Sequence, residues 1–128
     1  MPSFRQGDVV KVPFPYTDRS TRQFRPALVA SIGGIEAAHG LLWVLMITSA
    51  DNQGWPGDVT VGNLAMAGLP VPSVIRTAKI ATIEASDAQK PGKVSRALFG
   101  QVAGHLRREL GLVSQERRRR AACGGIDR

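Results

Sequence analysis

A chain of 128 residues is long enough for one compact domain with its own core and too short for two. Apolar residues make up 43% and charged residues 21%, the balance of an ordinary globular protein rather than a disordered, collagen-like or coiled-coil one. Lys and Arg number 17 against 10 acidic residues, and the resulting formal charge of +7 points to a polyanionic partner, nucleic acid first.

The elements follow from hydropathy and turn chemistry. Short strands rich in β-branched and aromatic residues are predicted at 9–14, 27–32 and 42–47, punctuated by Pro13, Pro15, Asp18, Gly33, Gly34 and Gly40. Weaker strands follow at 58–61, 73–76 and 79–84, separated by Gly, Pro and Asn clusters that cannot continue a ladder. After Pro91 and Gly92 the period changes: Leu98, Val102, Leu106 and Leu110 recur every fourth residue, with Ser95 as N-cap and Gly111 as stop. Short strands closed by one helix make an α+β domain, a small mostly antiparallel barrel with a C-terminal helix.

The domain is expected over 1–112, followed by a basic tail at 113–128 that contains Arg117 to Arg120. Residues 107–128 carry 7 basic and 3 acidic side chains, so this end supplies +4 of the +7. Such a run reads as a solvated end that raises phosphate affinity without sequence preference.

Function classes fall away in turn. A single cysteine, Cys123, excludes an internal disulfide framework and a multi-cysteine zinc site. The longest strongly apolar run, 41–47, falls far short of the ~20 residues that span a bilayer. Residues 1–10 lack the apolar core of a secretory signal, so no membrane association and a cytoplasmic location are expected. Walker, dinucleotide-binding, nucleophile-elbow and paired-histidine zinc motifs are all missing. The carboxylates are scattered singly. Asp51 and Asp58 make no convincing metal pair, so neither metal nor cofactor is expected. His39 in a polar turn and His105 on the helix read as surface or packing residues.

What remains is arginines and hydroxyls at strand ends. Arg25 precedes Pro26 and an apolar strand; Thr48 and Ser49 end the next one. On neighbouring antiparallel strands such positions can lie side by side, setting a bidentate cation against a hydroxyl donor around one phosphate. A solvated loop arginine and an ordinary Thr-Ser turn fit the same spacing.

At these residues the sequence resembles a known family. Gly7-Asp8-Val9-Val10, Pro13-Phe14-Pro15-Tyr16-Thr17-Asp18, Arg25-Pro26-Ala27-Leu28-Val29 and Ile47-Thr48-Ser49 resemble, in order and spacing, the MazF/PemK toxin endoribonucleases of type II toxin-antitoxin systems. Residues 70–76, Lys79-Ile80 and the helix end at 106–112 resemble the same family's second half. The resemblance implies an SH3-like barrel, a homodimer, a cognate antitoxin, and metal-independent cleavage of single-stranded RNA by 2′-OH attack. The products would be 2′,3′-cyclic phosphate and 5′-OH ends, and translation and growth would stop.

Carried over by residue, the resemblance makes Arg25 the principal catalytic group and gives Thr48 the scissile phosphate. It places Arg19, Ser20, Arg22 and Gln23 in a loop that gates the RNA groove, with Ser49, Gln53, Ser73 and Arg76 near its floor. Guanidinium stays protonated, so electrostatic stabilisation of the phosphorane is the role that suits Arg25. The loop departs from the family's Gly-Ser-Glu-Gln-like pattern, reading Asp18-Arg19-Ser20-Thr21-Arg22-Gln23, so the RNA sequence cut is not inherited. Trp43, Trp55 and Tyr16 are candidate stacking platforms. Trp55 is expected to be exposed and Trp43 to lie in the core or a dimer interface.

The alternative is a non-catalytic toxin of this fold that binds and poisons a DNA topoisomerase such as gyrase. The gyrase-poisoning CcdB toxins end in Trp-Gly-Ile, whereas this chain ends Gly124-Gly125-Ile126-Asp127-Arg128.

Overall fold

The computed structural model describes residues 3–13, 24–52 and 54–112. The loop residues Tyr16, Arg19, Ser20, Arg22 and Gln23, together with Gln53 and the basic tail, lie outside them.

Six strands form one antiparallel sheet in the order β4-β5-β3-β2-β1-β6, where β1 is Asp8–Pro13, β2 Phe24–Val29, β3 Leu41–Ser49, β4 Val59–Thr60, β5 Ser73–Glu84 and β6 Gln89–Lys93. The central strands are apolar on both faces, so the sheet needs cover on both. On one face Val9, Leu28, Leu45, Ile47 and Ile75 pack under Leu98, Phe99, Val102 and Leu106 of helix α3 (Arg96–Glu109). On the other, Val10, Val12, Ala27, Val29, Leu42 and Val44 form a second cluster with Phe4 and Met46 against it. The result is the α+β half-barrel that the sequence predicts.

Helix α3 is bounded as its sequence dictates. Ser95 Oγ accepts from Leu98 N–H, and Gly111, at φ +74°, lets the chain turn back so that its N–H reaches Arg108 O. Arg107 and Arg108 stand in the last turn, where cations suit the helix dipole.

Several elements depart from the sequence reading. The pair Gly33-Gly34, read as punctuation, opens helix α1 (Gly33–His39), which buries no side chain. Its Glu36 carboxylate accepts the N–H groups of Ser3 and Phe4, so α1 anchors the start of the chain. A four-residue helix, α2 (Leu64–Ala67), follows Asn63, whose Oδ1 accepts from Met66 N–H.

The strands expected at 73–76 and 79–84 are one strand. The register passes from Met46↔Arg76 to Leu45↔Ile80, so residues 77–79 of β5 bulge out and the ladder resumes beyond them. Pro91 and Gly92 lie within a strand instead of ending one; β6 is a sheet edge, where proline's missing N–H costs no ladder bond.

Two boundary shifts bear on function. Strand β2 starts at Phe24, so Arg25 and Pro26 belong to it, and β3 runs to Ser49, so Thr48 and Ser49 are strand residues too.

Candidate functional site

Pairing of β2 with β3 runs Ala27↔Met46, Leu28↔Leu45, Val29↔Val44 and stops where Pro26 has no N–H to give. Continuing that register by two residues sets Arg25 opposite Thr48. Arg25 is also opposite Val12 on β1, and Thr48 is opposite Val74 on β5. Extended past its last pair, the strand register is compatible with the expected side-by-side placing of cation and hydroxyl.

Arg25 and Thr48 line one cavity of about 310 Å³, together with Lys11, Phe24, Pro26, Ile47, Ser49 and Ser73. Gly68, Leu69, Pro70, Val71 and Pro91 close its far wall. That wall is held by two glycines. Gly68, in the left-handed region at φ +70°, caps α2, and a Cβ on it would meet Pro91 O at 2.7 Å. Gly92 faces the backbone of Met66 and Ala67 so closely that a Cβ there would reach Ala67 O at 2.6 Å. The α2 turn thus rests directly on β6.

The hydrogen bonds set what each hydroxyl can do. Thr48 Oγ1 accepts from Asn52 Nδ2, and Ser49 Oγ accepts from Asp51 N–H at 3.1 Å. Each keeps its own proton to donate to an anionic oxygen. Ser73 Oγ instead donates to Val71 O at 2.8 Å, so toward a ligand it offers lone pairs. It suits a substrate hydroxyl or base N–H better than a phosphate oxygen. Thr48 is 7% and Ser73 4% exposed, so both are fixed in place by packing.

Arg76 is not in this cavity. Its guanidinium pairs with Asp58, Nη2 to Oδ2 at 3.0 Å, with both side chains 8% exposed, and it lies 4.2 Å from the Trp55 ring centroid. With Asp58 it ties the β3–β4 loop to β5. Asp58 is accordingly an ion-pair partner. Among the described residues no group of three or more His, Cys, Asp or Glu could hold a metal.

Trp55 is 44% exposed as expected, with Arg76 over one ring face. Trp43 is 47% exposed and so not part of the core. His105 is on α3, where its Nδ1 lies 2.9 Å from Arg108 Nη2.

Lys11 is the cavity residue that sequence reasoning passed over. It is the one charged member of the apolar run Val9-Val10-Lys11-Val12 and reads there as the solvent-facing residue of a strand. Val9, two residues before it, packs in the cluster under α3, so Lys11 is on that side of β1, where its side chain is exposed.

A model of PemK-like, MazF-like toxins of type II toxin-antitoxin systems matches residues 5–110. Among solved structures, the MazE–MazF complex (form III) of Deinococcus radiodurans is similar, with TM-score 0.70 and 23% identity over 85% of this chain and 97% of that one. A mycobacterial endoribonuclease in complex with its cognate antitoxin gives 0.67 and 18%, covering 89% of this chain and 99% of that one. The Mycobacterium tuberculosis toxin MazF-mt6 gives 0.63 and 19%, covering 86% and 100%. At these identities the likeness establishes the fold. No curated protein sequence matches the chain significantly.

Proposed function

The chain belongs to the PemK-like, MazF-like toxin family of type II toxin-antitoxin systems, and from that premise we propose that it is an endoribonuclease acting on single-stranded RNA. The observation that carries the reading is the cavity where Arg25 lies across from Thr48, whose hydroxyl proton remains available to an anion. The ribose 2′-oxygen attacks the adjacent phosphorus, the bond from phosphorus to the 5′-oxygen breaks, and the proton leaving the 2′-OH balances the one gained by the 5′-oxygen. A 2′,3′-cyclic phosphate and a 5′-OH result. Because the nucleophile is part of the substrate, the step needs no metal-activated water. Arg25 stabilises the charge that develops on the phosphorane oxygens and Thr48 holds one of them.

By likeness to the two neighbours solved with antitoxins, the partner that silences this chain is an antitoxin, and the +7 charge favours an acidic segment. A homodimer has apolar surface to bury: Trp43 and Ile80 are 47% and 55% exposed and share one sheet face, opposite Thr82 and Leu45 respectively. Among the described residues no helix is long and apolar enough to cross a membrane.

An RNA digest in EDTA tests the reading, comparing the protein with its Arg25→Ala variant. Cuts at a short recurring sequence with 5′-OH ends are expected. Loss of one preorganised donor lowers the rate by about 10²–10³-fold in comparable sites, and a similar fall is expected for the variant. A folded protein that cuts no RNA refutes the proposal.

A further inference from the structure

The turn after β3 brings one more side chain to Thr48. Thr48 shares a face of β3 with Val44 and Met46, while its neighbour Ser49 lies on the other face. Arg25 stands opposite Val12, a member of the same cluster as Val44, so the cation and the threonine belong to one sheet face. Ser49 closes the turn: its carbonyl accepts from Asn52 N–H at 3.1 Å, and its Oγ accepts from Asp51 N–H at 3.1 Å. Between them Ala50 N–H donates to Pro72 O at 2.9 Å, which ties the turn to the chain entering β5. None of these bonds uses the Asn52 carboxamide. That group folds back over the end of β3 instead, where its Nδ2 donates to Thr48 Oγ1. An exposed side chain thus acts on a buried hydroxyl.

We infer that Asn52 is a positioning residue for the cleavage step, one that fixes the direction in which Thr48 donates. The inference rests on the ribonuclease reading and deepens it. A threonine hydroxyl has a single proton and rotates to give it to whichever acceptor is in reach. With the Asn52 amide donating to its oxygen, the proton cannot point back at the turn and is left for a phosphate oxygen. A carboxamide suits this task for two reasons. It supplies an N–H donor, and it is neutral, whereas a carboxylate in its place would take the threonine proton and repel the phosphate. A donor aimed before charge develops on the phosphorane need not reorient during the reaction, so the effect of Asn52 falls on kcat more than on KM.

The test uses the full chain and an oligonucleotide that it cuts. Asn52→Ala is expected to lower kcat/KM about fivefold, the scale of one neutral hydrogen bond, mainly through kcat. The same change made in a Thr48→Val background should cost nothing further. Asn52→Asp is the same size and suits the same turn, yet it reverses the bond; it should lower the rate at neutral pH by at least about tenfold, as far as Thr48→Val does. Phosphorothioates at the scissile phosphate give a readout that a merely structural role would not move. Of the two diastereomers, the one whose sulfur faces Thr48 should lose part of its rate penalty in Thr48→Val and in Asn52→Ala alike.

An Asn52→Asp protein that cuts as fast as the parent overturns the inference. So does an Asn52→Ala loss of equal size with and without the Thr48 hydroxyl, which would make the asparagine a support of the loop alone. Both results leave the ribonuclease standing. An unaltered, folded protein that cuts no RNA overturns the two together.

Discussion

Replacing Gly92 with Ala tests whether the far wall of the cavity is built as described. The added Cβ would meet the carbonyl groups of Met66 and Ala67, with Ala67 O at 2.6 Å. These are backbone atoms of α2 and cannot rotate away, so the turn must retreat by about 1 Å to regain ordinary contact. Overpacking of this kind costs ~1–3 kcal/mol. Alanine's smaller unfolded-state entropy returns ~0.4–1 kcal/mol. The net expectation is a loss of about 1–2 kcal/mol, or roughly 4–8 °C in Tm for a domain of this size. Gly100→Ala makes the same chemical change inside α3, where nothing lies within 4 Å of the new methyl, and should raise stability by ~0.8–1 kcal/mol through helix propensity. Urea titration or calorimetry of the two variants compares them directly. The outcome that refutes the packing argument is a Gly92→Ala protein as stable as the parent.

Two further substitutions probe the site and its support. Thr48→Val removes the hydroxyl with little change of shape and should lower cleavage by at least about tenfold with the fold intact by circular dichroism, whereas Thr48→Ser should keep most of the rate; equal rates for the two would remove Thr48 from the chemistry. Asp58→Ala leaves the Arg76 guanidinium buried without its carboxylate, and breaking such a pair costs ~3–5 kcal/mol; an unfolding midpoint close to the parent's would show that the other contacts of Arg76 carry the loop.

Sequence patterns reported the long elements and lost the short ones for physical reasons. Helix α3 was legible because its apolar stripe, cap and stop agree, and three central strands were legible because both of their faces are apolar. Helix α1 was not, because it buries no side chain and so carries no apolar stripe; what fixes it is the bond from Glu36 to the chain's first described residues. Strand β6 contains Pro91 and Gly92, both strand breakers in isolation, and is tolerated only because it is an edge that needs a side-chain-free position beneath α2. At the site, Arg25 and Thr48 stood out in the sequence as strand-end residues that can lie side by side, and the family resemblance gave them their roles. The Arg76–Asp58 pair was not legible, since nothing local tells an exposed strand cation from one buried against a carboxylate 18 residues away. Lys11 was missed because a lone lysine in an apolar strand reads as solvent-facing, and it is exposed while also lining the cavity rim.

The site lies where the sheet changes from complete to partial pairing, and that position divides labour between its two main groups. Thr48 and Ser49 are held by β5, in register with Val74 and Ser73, and their side-chain oxygens are held again by Asn52 and Asp51. A hydroxyl that must be aimed before the charge appears benefits from such double restraint. Arg25 is in a different position. Pro26 ends the pairing with β3, so the backbone at Arg25 keeps one strand partner, β1. On the proposed reading, a phosphate that becomes a five-coordinate phosphorane changes its oxygen geometry during the reaction, and the strand carrying Arg25 is less tied by sheet pairing than the one carrying Thr48. Pro26 is thus more than a strand irregularity. On the proposed ribonuclease reading, it sets a doubly restrained donor on β3 beside a cation whose strand is paired on one side only, an arrangement suited to attack by a substrate hydroxyl on its own phosphate.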